Sequence, residues 1–166
     1  MNPASPLVEL VVESPAAADV RTLFPLMREI DPTLDLKRWL AYARPLVQRR
    51  DGRAGILVAR RAGRRFPCGA VCYHLSRDLE HGVVLTAEHF ITLDLLYPQA
   101  VLRALQAALE KIAIRLGCHA VRAIVRGGRS DLAEDLRRSG LGKDGIMMVR
   151  PVAADMPPPA ARAEPN

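Results

Sequence analysis

Residues 83–125 read VVLTAEHFITLDLLYPQAVLRALQAALEKIAIRLGCHAVRAIV. Three segments of different period lie in this stretch. Val83 to Leu93 is rich in β-branched and aromatic residues and predicts a strand. Tyr97-Pro98 then opens a helix, because proline suits the first helical position. Val101, Leu102, Leu105, Ala108, Leu109, Ile112 and Leu116 recur at three and four residues. That is the stripe of an amphipathic helix lying on a sheet. Gly117 suits the C-cap, and Val121 to Val125 returns to a strand. The crossover brings the chain back to the end where the first strand began, so the two strands are expected to be parallel.

Upstream, Leu7 to Glu13 predicts a first strand. Ser14-Pro15 starts a helix over 15–30, with Pro25 expected to kink or split it. Leu36, Trp39, Leu40, Ala43 and Val47 form the stripe of a second helix, which Pro45 is expected to bend or end early. Ala54 to Ala59 and Pro67 to Leu75 predict two more strands, joined by a turn at Ala62-Gly63. With Val83 to Leu93 they make an antiparallel meander. Downstream, Ser130 or Asp131 caps a helix through Arg138, and Gly145 to Val152 predicts a last strand. The order is β-α-α-β-β-β-α-β-α-β. It implies an α/β fold, a mixed and mostly antiparallel sheet with helices on both faces. Residues 1–152 are expected to form a single domain. Pro157-Pro158-Pro159 marks 153–166 as a Pro/Ala-rich tail.

Composition narrows the function classes. The chain has 166 residues, 49% of them hydrophobic, and a net charge of +6. No apolar run approaches the ~20 residues of a membrane span. Met1 to Pro6 lacks the parts of a signal peptide, so a cytoplasmic protein is expected. Between Lys37 and Arg65 lie ten cations and one acid, Asp51, so this segment is +9 and the rest of the chain −3. Such a surface attracts anions. Nucleic acid is one such anion, but with three Phe, three Tyr and one Trp, and no basic–aromatic interleaving, it is the weaker reading. Cys68, Cys72 and Cys118 are an odd set without an export signal and read as small buried hydrophobes. Cys68, Cys72 and His74 share one face of a strand but do not converge on a tetrahedral centre, so no metal is expected.

The order and local texture over about 7–151 resemble the GNAT acyl-CoA N-acyltransferase superfamily. Leu23 to Asp35 looks like the family's first helix and linker. Phe66-Pro67-Cys68-Gly69-Ala70-Val71 is similar to the start of its third strand. Ala107 to Val125 looks like its passage of helix, Gly-Cys and strand. Leu136-Arg137-Arg138-Ser139-Gly140-Leu141 sits where the family usually has Tyr-x-x-x-Gly-Phe. The family usually closes with two strands, whereas only Gly145 to Val152 is evident here.

The resemblance implies an acyl-CoA-dependent N-acyltransferase, using acetyl-CoA or another acyl-CoA as co-substrate and a small-molecule or peptide amine as acceptor. Strands four and five of the family splay apart to admit the acyl arm. Leu93, Asp94 and Leu95 would position that arm. The phosphate loop, usually Gln/Arg-x-x-Gly-x-Gly/Ala, falls on Tyr97 to Leu102. Its two glycines become Ala100 and Leu102, and Pro98 has no N–H to offer. Gln99, Ala100, Val101, Leu102 and Arg103 are the residues placed to meet the phosphates. Gln99 can be a displaced motif residue, and Arg103 can supply charge in place of amides. His89 lies about where the family's base is found, with Glu88 second. Strict alternation puts Glu88, Phe90 and Thr92 on one face, and His89, Ile91 and Leu93 on the other. The family's acid, a tyrosine, is replaced by Leu136. The alternative implied by these losses is a non-catalytic GNAT-like binding or regulatory domain.

Overall fold

The computed structural model describes residues 9–126 and 128–149. The chain divides after Val125 into two compact units.

The first unit is built on a five-stranded sheet in the order β1-β2-β3-β4-β5. Its strands are β1 (Leu10–Glu13), β2 (Ala54–Arg61), β3 (Pro67–Asp78), β4 (Gly82–Thr92) and β5 (Ala120–Ala123). The first four pair antiparallel, and β4 pairs parallel with β5. The parallel pair and the meander read from the sequence are both present. Strands β2 and β3 run two and three residues beyond their expected ends, because ladder bonds continue wherever a neighbour remains, and β4 is displaced by one residue at each end.

One face of the sheet carries the N-terminal helices. Pro25 splits the expected first helix into a 3-10 segment, Ala17–Leu23, and a short α1, Phe24–Arg28. Next comes α2, Leu36–Gln48, capped by Asp35, whose carboxylate accepts the Arg38 N–H at 2.7 Å. Pro45 sits inside α2 without ending it. Trp39 fixes α2 in place: its indole N–H donates to the Val20 carbonyl at 2.8 Å in the interior. Val20, Leu23, Leu26, Met27, Trp39 and Ala43 pack there on Ile56, Val58, Ala70, Cys72 and Ile91.

The opposite face carries α3, Pro98–Arg115. Its stripe of Val101, Leu102, Leu105 and Leu109 is buried. Gly69 is the point of closest approach: a Cβ there would lie 2.5 Å from Val101 Cγ1 and 2.9 Å from the Ile91 carbonyl oxygen. Gly117 follows α3 at φ +68, the left-handed conformation expected of a cap. No helix among the described residues is long and apolar enough to cross a membrane.

The second unit contains α4, Ser130–Arg138. Ser130 is the first helical residue rather than the cap, and Arg129 precedes it without a capping side chain. Residues 145–149 carry no strand, unlike the sequence expectation for Gly145 to Val152. Residues 150–152 and the tail at 153–166 lie outside the described residues, as do Leu7 and Val8 of the expected first strand. All three cysteines are free. Cys72 is buried as expected, while Cys68 and Cys118 are only half-buried.

Candidate active site

The chemistry-bearing residues of β4 are arranged by one irregularity. On β3 and β4, Ala70 faces Ile91 and Cys72 faces Glu88. Val71 alone therefore stands opposite two residues, His89 and Phe90. This is a β-bulge, and His89 takes φ +57, the one described non-glycine residue with positive φ. Left-handed backbone is uncommon outside glycine, and histidine tolerates it better than most.

The bulge overturns the alternation expected along β4. Residues directly opposite in an antiparallel pair share a face. Glu88 therefore points with Cys72, and Ile91 with Ala70, and both partners belong to the core under α2. Glu88 and Ile91, expected on opposite faces, lie on the same one.

Under α2 the bulge gathers a polar cluster. The Tyr42 hydroxyl donates to Glu88 Oε1 at 3.0 Å. His74 Nδ1 lies 3.8 Å from the same oxygen, and His89 Nε2 lies 3.7 Å from Oε2. The His89 ring stands edge-on to Tyr42, centroids 5.4 Å apart, and the Trp39 ring lies 6.2 Å from that of Tyr42. The Glu88 side chain is 22% exposed, so the carboxylate reaches solvent. Burial, then the charges of Cys72 and Glu88, hold the Tyr42 phenol protonated, far above its usual range. Burial and the Glu88 charge push the Cys72 thiol up to about 12, so it is no nucleophile at neutral pH.

The cluster sits where the parallel pair parts. The β4–β5 ladder runs from Val84↔Ala120 to Ala87↔Ala123, and the Ile124 N–H adds a bond to the Ala87 carbonyl. Strand β5 ends there, while β4 continues through the bulge to Thr92. A strand that outruns its partner offers backbone groups to an extended ligand.

Beyond Thr92 the exit loop is tied down from within. The Leu93 N–H donates to the Cys68 carbonyl at 2.8 Å. Asp94, its side chain 1% exposed, accepts from Leu96 N at 3.1 Å and Tyr97 N at 2.9 Å. The Arg61 guanidinium grips the same carboxylate, Nε at 2.8 Å and Nη2 at 2.7 Å, and stacks 5.8 Å from the centre of the Tyr97 ring. Burial opposes the charge on Asp94, but the bonds from Arg61, Tyr97 and Leu96 outweigh it and hold the carboxyl below its usual range.

The residues selected from sequence fall into three groups. Glu88 and His89 meet, as just described. Leu93, Leu95, Gln99 and Arg103 are exposed, and Ala100 is half-buried. Asp94 is buried in its ion pair, and the Val101 and Leu102 side chains belong to the α3 core. Two participants went unseen. Tyr42 lies 46 residues from Glu88, and its only signal was an aromatic off the apolar stripe of α2. Arg61 lies 33 residues from Asp94, and nothing distinguished it from its basic neighbours. In α4, Leu132 and Leu136 are buried, consistent with apolar rather than acid duty at Leu136.

A mixed sheet whose parallel strands part at a bulge, with a crossover helix starting past it, defines a class of α/β fold. Solved structures identify which. The aminoglycoside N-acetyltransferase AAC(6')-Iy, solved in complex with CoA, superposes with a TM-score of 0.75 over 87% of this chain and 96% of its own, at 13% identity. Glucosamine-6-phosphate N-acetyltransferase from Arabidopsis thaliana gives 0.66 over 87% and 99%, at 11% identity. Ribosomal-protein-alanine N-acetyltransferase from Brucella melitensis gives 0.67 over 86% and 99%, at 17% identity. No protein-family model matches the sequence, and no curated protein matches it significantly. The fold is that of the GNAT acyltransferases.

Proposed function

We propose that this protein is a GNAT-type N-acyltransferase, taking an acyl group from acyl-CoA, acetyl-CoA in the simplest case, and passing it to the amine of a small molecule or peptide. The observation that carries the reading is the bulge at His89. It lies where β4 outruns β5, and it brings the His89 ring to the α2 face, beside the Glu88 carboxylate and its Tyr42 donor.

The acyl arm would lie along β4 from Glu88 toward Leu93, Asp94 and Leu95. The amine nitrogen attacks the thioester carbonyl, the C–S bond breaks, and the amide forms. Glu88 is the better candidate base, taking the amine proton directly or through a water, because Tyr42 orients it. His89, 3.7 Å away, would carry that proton onward through a water. With Leu136 in place of a tyrosine, the departing thiolate takes its proton from water, a mild demand for a group of pKa about 8.5. Gln99 and Arg103 are the side chains left to meet phosphates.

Titration calorimetry with acetyl-CoA, followed by thiol release against a panel of amines, tests this. Saturable binding with amine-dependent turnover is expected. Absence of binding at millimolar donor would sink the reading. It would favour a non-catalytic binding domain, the second reading, to which the buried Leu136 and the internally satisfied exit loop already lend support.

A further inference from the structure

Acyl transfer needs a pantetheine thioester, but the handle beyond the pantetheine is a separate question. A coenzyme pyrophosphate is ordinarily cradled by backbone amides at a helix start. Here those amides are engaged. Leu96 and Tyr97 donate to Asp94, Ala100 and Val101 donate to the Tyr97 carbonyl, and Pro98 has no N–H. The Asp94 carboxylate already supplies a negative charge at this spot.

The surface around the exit loop has the opposite character from a nucleotide pocket. Leu95 is 96% exposed, Leu96 72%, and Phe66 84%. Phe66 belongs to the β2–β3 hairpin, which the Leu93–Cys68 and Arg61–Asp94 contacts hold against the loop. The same hairpin carries Arg64 and Arg65, both exposed, and Arg103 is exposed on the first turns of α3. None of these three is in an ion pair among the described residues. Exposed leucines and an aromatic, on a loop and hairpin held together and flanked in the chain by unpaired arginines, fit an acidic protein surface with apolar residues of its own.

We infer that the preferred acyl donor is a small acidic carrier protein bearing its acyl group as a thioester on a phosphopantetheine arm. This rests on the acyl-transfer reading above. The arm carries a single phosphodiester and asks less of the loop than a pyrophosphate. The carrier's acidic face supplies the rest of the binding through Arg64, Arg65 and Arg103, and its apolar residues cover Phe66, Leu95 and Leu96. The transfer balances as before: amine plus acyl-S-carrier gives amide plus HS-carrier, the amine proton reaching the thiolate by way of Glu88 and water.

The test compares one acyl group on two handles. The kcat/KM for the acyl-carrier thioester should exceed that for the same acyl-CoA by tenfold or more. It should fall at least tenfold in Arg64→Glu/Arg65→Glu and with rising salt, while acyl-CoA kinetics of that variant stay within about twofold. Equal or better use of acyl-CoA, or a double variant as active as the parent on the carrier, would overturn the inference. Calorimetry with unacylated holo-carrier separates the two proposals. Binding lost in the double variant, with no transfer from any donor, upholds the docking surface and removes the enzyme reading. Absence of carrier binding, or sedimentation with phosphatidylglycerol vesicles in its place, overturns the docking surface alone.

Discussion

The middle of β4 and its exit are built on opposite plans. At the bulge, Glu88, His89, Tyr42 and His74 approach one another without exhausting each other: Glu88 holds one hydrogen bond from Tyr42 and two imidazoles at 3.7–3.8 Å. At the exit, Asp94 takes four donors and is almost wholly buried. The first arrangement leaves a carboxylate able to accept a proton from something new. The second is complete without a ligand. Two acids six residues apart on the same strand and its loop thus divide into one with acceptor capacity to spare and one fully engaged within the fold, and the division is made by donor count and exposure rather than by residue type.

The widest separation between the two should come from replacing each acid. Glu88→Gln keeps the Tyr42 hydrogen bond but not the base. Turnover should fall about a hundredfold or more, while the melting temperature stays within a degree or two. Asp94→Ala should do the reverse at the level of stability, leaving Arg61 and two loop amides unpaired at a cost of about 2 kcal/mol, read from urea denaturation. If Asp94→Ala proves neutral, the exit is not the closed unit described here.

A smaller effect distinguishes the bulge from its side chain. His89→Gly accepts φ +57, whereas His89→Val does not, and valine should be the less stable by about 1–2 kcal/mol. Equal stability would mean the backbone at 89 relaxes freely. Tyr42→Phe keeps the ring against His89 and removes only the donor to Glu88. Turnover should drop about tenfold with less than 1 kcal/mol lost, about the net value of one hydrogen bond. Tyr42→Leu, which removes the ring contact as well, should drop further, and recovery by phenylalanine alone would show that the ring rather than the hydroxyl matters.

The smallest effect concerns acid. The Arg122 guanidinium, with amides of His81 and Glu80, holds Asp78 at about 2, below the ordinary 3.8. A depressed carboxyl stabilises the fold fully above its unfolded value and loses that contribution as pH falls from about 4 to 2. Asp78→Asn should therefore have a shallower acid limb in thermal melts than the parent. The Asp94 carboxyl, also held low, shifts stability in the same direction.

Most of the fold was legible because periodicity reports burial. Val101, Leu105 and Leu109 announced α3, and its crossover gave the parallel pair. Pro25 marked a kink or split, and the split is present, whereas Pro45 marked a bend or an early end, and α2 runs on past it to Gln48 with Trp39 and Ala43 buried. The candidate site was legible only in part. Glu88 and His89 could be chosen from strand position, but their faces could not. A bulge is a relation between two strands, and nothing in the residues Glu88-His89-Phe90 alone requires one. The same holds for Tyr42 and Arg61, whose partners lie far along the chain.

The saturated exit loop has a consequence for how long the protein lasts. In a glycine-rich phosphate loop, order and part of the folding free energy arrive with the bound donor, so survival of the fold tracks donor supply through mass action. Here Asp94 supplies that anion permanently, and Arg61 fastens it to β2. Resistance to unfolding at this end of the sheet then has a contribution from the chain itself that is present before any ligand binds.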